Sequence, residues 1–184
     1  MDAQGINITS RAYVATITNF SYCAGCAIAQ ANAILIGWNM GKHEFNKCYK
    51  DTFKALKIGL TVSLIISTLF VIFASPILGL FTKNQQIIQL ASKLLVIDVF
   101  LELGRVTNLI FANALKTAGD AFYIVVVACI IMIFIGVGGT YLFGIKLEFM
   151  AIGAYIAMAL DECLRGIISI FRWKSKKWQQ KALI

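Results

Sequence analysis

The chain has 184 residues, of which 59% are hydrophobic and 14% charged, with a mean hydropathy of +0.79 and a formal net charge of +8. Average soluble domains are about 45–50% apolar and 25% charged, so a soluble core cannot absorb this excess. The composition excludes an ordinary soluble domain and points to a polytopic membrane protein, all-α, built as a transmembrane helical bundle of about five helices.

Read with a window of about 19 residues, the chain divides into candidate spans at 12–38, 58–80, 87–115, 122–143 and 149–171. With no linker between them they make a single transmembrane domain over 1–184. In the first span Thr16, Asn19, Cys23, Cys26, Gln30 and Gly37 recur at helical spacing, a stripe suited to lining a cavity. Ala15, Ala24, Ala27 and Ala31 interleave with it, and such small residues equally suit close helix packing in a membrane. In the second span Pro76 is placed to kink or end the helix. Gly136, Gly138 and Gly139 in the fourth permit a bend or a close crossing.

The third span carries Asp98, Glu102 and Arg105 at i, i+4 and i+7 on one face, with Asn108 one turn further. At about 1.5 Å per residue from Ile87, Asp98 falls near mid-bilayer. Charge at that depth costs about 2.5–3.5 kcal/mol even on lenient insertion scales and marks a functional group by default. Glu102 and Arg105 can neutralise each other, which leaves Asp98 as an acid suited to binding and releasing a proton, or a sodium ion if other oxygens join it. Its alternative is a structural hydrogen bond to a neighbouring helix. The fifth span holds Asp161, Glu162 and Arg165 at similar depth to Glu102 and Arg105, so cross-helix pairs such as Glu102 with Arg165 or Asp161 with Arg105 would form a gate if labile and a clamp if static. Asn19, Gln30 and Asn108 are the candidate cavity-lining polar residues.

The loop after the first span carries Lys42, Lys47, Lys50, Lys54 and Lys57, the short turn after the third carries Lys116, and Arg172, Lys174, Lys176, Lys177 and Lys181 fill the tail. The other side has Arg11, Lys83, Lys146 and Lys93. The positive-inside rule then predicts a cytoplasmic C-terminus and an external N-terminus in a plasma-membrane protein. The cations are split over membrane-flanking segments, which leaves little room for a nucleic-acid-binding domain. Met1 to Ser10 lacks a basic leader, and an external start followed by an odd number of spans suggests the C-terminal piece of a larger transporter. Cys23 and Cys26 have C-x-x-C spacing without a second pair or nearby histidine, and His43 is a solvated loop residue. No nucleophile motif, phosphate-binding glycine loop or metalloprotease motif is present, so neither an enzyme nor an ATP-driven pump is indicated, and no cofactor beyond a coupling ion, H+ or Na+.

Glu102-Leu-Gly-Arg105-Val-Thr-Asn108, followed by Ala114-Leu115-Lys116-Thr117-Ala118-Gly119-Asp120, resembles the tenth helix and following turn of multidrug and toxic compound extrusion (MATE) transporters. Ala29-Gln30 with Gly37-Trp38-Asn39-Met40-Gly41 resembles their eighth helix. Asp161-Glu162, Arg165-Gly166, Arg172-Trp173 and Lys177-Trp178 resemble the last helix and tail of one bacterial branch. The resemblance implies a partial C-terminal lobe, about helices eight to twelve of twelve, and proton- or sodium-coupled export of organic cations or amphipathic, drug-like compounds. It also implies an N-terminal lobe as the missing partner, with membrane lipid around both. The tenth-helix position where some sodium-coupled members carry an acid falls at or near Arg105, so no ion ligand carries over, and Asp98 and Glu102 stand on physical grounds alone. Two further readings are a flippase of lipid-linked saccharides and a non-transporting membrane interaction subunit.

Overall fold

The computed structural model describes residues 3–181, and they form helices joined by short turns. Met1 and Asp2, part of the leader argument, lie outside the described residues. In chain order the helices are α1 (Ala3–Gly41), α2 (Phe45–Ile72), α3 (Ala74–Phe81), α4 (Gln85–Thr117), α5 (Ala121–Ile131) and α6 (Met150–Lys174). α5 runs on through two widened, π-helical segments, Met132–Val137 and Thr140–Lys146, and a short turn of 3-10 helix, Lys177–Gln180, follows α6.

The breaks have local causes. The Pro76 ring cannot sit over the carbonyl four residues back, so α2 stops at Ile72 and the chain restarts as α3 with Pro76 in its first turn, where the missing N–H costs nothing. Asn84 caps α4, its side-chain oxygen accepting from the Gln86 amide at 3.0 Å. α4 ends in a Schellman turn: Gly119 adopts φ +83°, its amide donates to the Lys116 carbonyl at 3.1 Å, and the Asp120 amide donates to the Leu115 carbonyl at 2.9 Å. The turn after α1 repeats these bonds with His43 at the left-handed position, φ 57°, so the lone histidine is a turn former.

α4 lies at the centre and packs on α1, α2 and α6. The α4–α6 crossing is close because glycines meet there: a Cβ on Gly104 would lie 2.8 Å from the Cys163 backbone nitrogen, and one on Gly166 would lie 3.2 Å from the Gly104 carbonyl oxygen. Of the two purposes read for the glycines of the fourth predicted span, the close crossing is formed. The helix widens around them, and a Cβ on Gly139 would sit 3.2 Å from that of Ala157 on α6.

Gln4–Gly41, Phe45–Ile72 and Ala121–Lys146 are helices long and apolar enough to cross a membrane. α4 and α6 are also long enough, but they carry the ionisable groups. Large apolar side chains such as Phe20, Ile34, Leu80, Phe100, Phe122, Phe134 and Phe171 are exposed around the outside, a surface that lipid covers. One sequence expectation needs correction. The lysines after the first span were expected in a loop, but Lys47, Lys50, Lys54 and Lys57 belong to α2, which at 1.5 Å per residue is about 42 Å long and outruns the roughly 30 Å hydrocarbon core.

Candidate functional site

Asp98 sits midway along α4 and is 2% exposed. It lines a cavity of about 290 Å3 with Ala15, Thr18, Asn19 and Tyr22 of α1, Arg105 of α4, and Tyr155 and Met158 of α6. Asp98 has no ion-pair partner within 4 Å among the described residues. The cavity offers it oxygen-bearing side chains, Thr18, Asn19, Tyr22 and Tyr155, with Arg105 at one wall. Arg105 also lies 5.5 Å from the centre of the Tyr22 ring, a cation–π contact that fixes its heading.

Behind Arg105, Glu102 is fully buried. It pairs with Arg105 three residues on, and its other oxygen accepts from the Ser21 hydroxyl of α1 at 2.8 Å. Ser21 in turn lies 3.3 Å from the hydroxyl of Ser63 on α2, so the carboxylate ties three helices together. On α6, Arg165 pairs with Asp161 one turn back, while Asp161 Oδ1 and Arg165 Nε have no hydrogen-bond partner. The α4–α6 link is neutral to charged: Asn108 Nδ2 donates to Glu162 Oε2 at 2.9 Å.

The cross-helix pairs considered from the sequence, Glu102 with Arg165 and Asp161 with Arg105, are not formed. Both arginines close on carboxylates of their own helix, where i+3 and i+4 spacing brings the partners together without waiting for another segment. Asn19 does line the Asp98 cavity; Gln30 is exposed elsewhere on α1, and Asn108 is occupied with Glu162. Thr16, Asn19, Cys23, Gln30 and Gly37 of the α1 stripe are exposed and Cys26 half-buried, while Ser21, Gly25, Ala29 and Asn32 make the buried packing face, so stripe and packing surface are different sides of the helix. Sequence reasoning missed Ser21, Thr18, Tyr22 and Tyr155. Ser21 and Tyr22 flank the stripe, but Tyr155 sits in an alanine-rich run with no polar signal. All five cysteines are free thiols, and no group of three or more His, Cys, Asp or Glu among the described residues could hold a metal ion.

A lobe of apolar helices around a central helix bearing an unpaired buried acid at a cavity is the build of a membrane transporter rather than of an enzyme. The sequence model of the MatE family matches residues 6–142, and the chain belongs to that family of MATE transporters. It is 40% identical over 183 residues to the uncharacterized transporter YisQ of Bacillus subtilis (strain 168), an alignment covering 100% of this chain and 40% of that protein. It is 31% identical over 103 residues to a probable multidrug resistance protein NorM of Buchnera aphidicola subsp. Baizongia pistaciae (strain Bp), covering 56% of this chain and 23% of that one. The MATE transporter ClbM, solved in complex with Rb+, superposes with a TM-score of 0.82 at 19% identity over 95% of this chain and 42% of its own, which shows the shared fold. The chain thus spans about two-fifths of the length of YisQ and of ClbM.

Proposed function

We propose that this chain forms part of the C-terminal lobe of a cation-coupled exporter of organic cations or amphipathic compounds, with Asp98 as the group that takes the coupling ion. The supporting observation is the buried, unpaired Asp98 at the wall of an accessible cavity in an otherwise apolar lobe. In this reading α1, α2 with α3, α4, α5 with its π-helical extension, and α6 make five crossings, and the positive-inside rule supports a cytoplasmic side for their lysine-rich ends. An N-terminal lobe closes the substrate cavity from the other side. The names of the NorM relatives support drug-like substrates. The coupling ion in this reading is H+ or Na+, taken up at the Asp98 carboxylate that lines the cavity. Binding of the ion favours one facing of the cavity and substrate the other, which couples the two fluxes.

The Glu102–Arg105 and Asp161–Arg165 pairs serve neither as gate nor as interhelical clamp, since each neutralises charge within one helix, and the hold of α4 on α1 comes from the Ser21 hydroxyl on Glu102. The test is ethidium efflux from cells producing the full-length transporter, wild type against Asp98→Asn, across pH 6 to 8. The reading requires loss of efflux or of its pH dependence. Unchanged rates and an unchanged profile would sink the role of Asp98, and translocation of lipid-linked saccharide without dye efflux would replace the substrate class.

A further inference from the structure

Away from the Asp98 cavity, a pocket of about 400 Å3 at one end of the lobe is lined by Tyr49, Lys50, Phe53, Lys54 and Lys57 of α2 and by Lys174 at the end of α6. The α2 residues fall at steps that keep them on one helical face. Its aromatic floor is fixed: the Tyr49 and Phe53 rings are 5.0 Å apart, and Phe53 stands edge-on to the buried Phe111 at 5.4 Å. Four lysines line the pocket. Among the described residues the one carboxylate paired with any of them is Asp51, 3.6 Å from Lys54 and already accepting from Asn39 Nδ2 at 3.2 Å. Lys50, Lys57 and Lys174 have no ion pair among the described residues, and a further cation, Lys176, lies 5.7 Å from the Tyr49 ring centre.

The pocket sits where apolar helix gives way to charge, since Lys57 directly precedes the run beginning at Ile58 and Lys174 closes α6. That is the depth of phospholipid headgroups. Lys54 also lines a second cavity of about 400 Å3, between α1 and α2, with Ile28, Ala31, Asn32, Leu35, Asp51, Ala55 and Ile58. Asn32 is 2% exposed there, and neither atom of its amide has a hydrogen-bond partner. A buried amide left unpaired in an apolar groove is costly and calls for a ligand with its own polar group at that depth. Free phosphate would use the lysines alone, whereas a phospholipid would use both cavities.

We propose that these two adjoining cavities bind one anionic phospholipid, its phosphate held by Lys50, Lys54, Lys57 and Lys174 and its glycerol ester region passing Lys54 to meet the Asn32 amide. The site rests on the membrane embedding of the lobe and is independent of the export reading. To test it, the full chain in mild detergent is titrated with phosphatidylglycerol and with phosphatidylcholine of the same acyl chains, and bound lipid is counted by native mass spectrometry. Phosphatidylglycerol should bind about tenfold or more tightly, and K50Q/K57Q/K174Q should abolish that preference. K83Q/K93Q/K146Q removes the same charge at the other end of the lobe and should keep it. N32A should weaken both lipids a few-fold. Loss of the preference in both triple variants would reduce the effect to general charge and overturn the site. Displacement of the lipid by equimolar soluble glycerol phosphate would overturn the lipid assignment, and an inert N32A the ester contact.

Discussion

Replacing Gly104 by alanine tests the idea that the α4–α6 crossing is set by backbone-to-backbone contact. The new methyl would stand 2.7 Å from Cys163 Sγ, 2.8 Å from the Cys163 nitrogen and 3.1 Å from its Cα, and two of those three atoms are main chain that no rotamer change can move. α4 and α6 must part by about half an ångström to restore ordinary contact. The 2.9 Å bond from Asn108 to Glu162 spans the same seam and weakens with it. Overpacking of this kind costs about 1–3 kcal/mol, offset by about 0.5–1 kcal/mol because alanine suits a helix better than glycine. The net loss is about 1–2 kcal/mol, roughly a five- to thirtyfold shift in the unfolding equilibrium. Gly79→Ala is the control, because a Cβ there meets nothing within 4 Å and only the helix-propensity gain remains. Reversible SDS unfolding of both variants reads the difference directly. If Gly104→Ala proved as stable as Gly79→Ala, the close crossing would not be holding these helices.

Arg105→Gln leaves the fully buried Glu102 without its ion-pair partner and should cost about 3–5 kcal/mol, most of it recovered in Glu102→Gln/Arg105→Gln, as measured by the same unfolding. Asp120 lies in the turn outside the spans: burial alone would raise its pKa, but hydrogen bonds and charge from Arg172 and Lys181 prevail and hold it below the usual carboxylate range. A depressed carboxylate stabilises the fold above its unfolded pKa of about 3.9, and that contribution disappears as pH falls through the folded value. Tail fluorescence in a Trp38→Phe background should therefore hold steady from pH 7 to 5 and change only below about pH 4, and Asp120→Asn should remove that transition. Trp178 is fully buried, stacked on Trp173 at 4.2 Å, and donates from its indole nitrogen to the Trp173 carbonyl at 3.0 Å. Trp178→Ala should cost up to about 3–5 kcal/mol locally and loosen the backbone around the already exposed Lys174, Lys176 and Lys177, seen as faster tryptic loss of the tail on gels.

Features decided by one or two residues were legible in the sequence. Pro76 ends α2, the 136–139 glycines take a close crossing, and Asp98 and Glu102 of the charged face of the third span are buried inside the lobe. The start of α2 was not legible from hydropathy, because Phe45 to Lys57 has no glycine or proline to break a helix and the window measures lipid contact rather than helicity. Asn19 was marked by periodicity, but its meeting with Asp98 depends on how α1 is rotated against α4, which composition does not encode. Tyr155 was hidden for the same reason, contributing from a third helix whose local sequence reads as plain packing. The cross-helix ion pairs were judged by depth alone, and closure within each helix prevailed at shorter range.

That closure bears on how the chain is made. A helix that neutralises its own arginine does so as soon as it coils, so α4 can leave the insertion machinery for lipid while α6 is still unsynthesised, carrying Glu102 and Arg105 as one nearly neutral unit. α6 brings Asp161 and Arg165 the same way. What must wait for assembly is the remainder: Glu162 finds Asn108 only when the two helices dock, and Asp98 is enclosed only once α1 and α6 stand on either side of it. The order of synthesis therefore settles the structural pairs within each helix first and encloses Asp98 last, when α6 completes its surroundings.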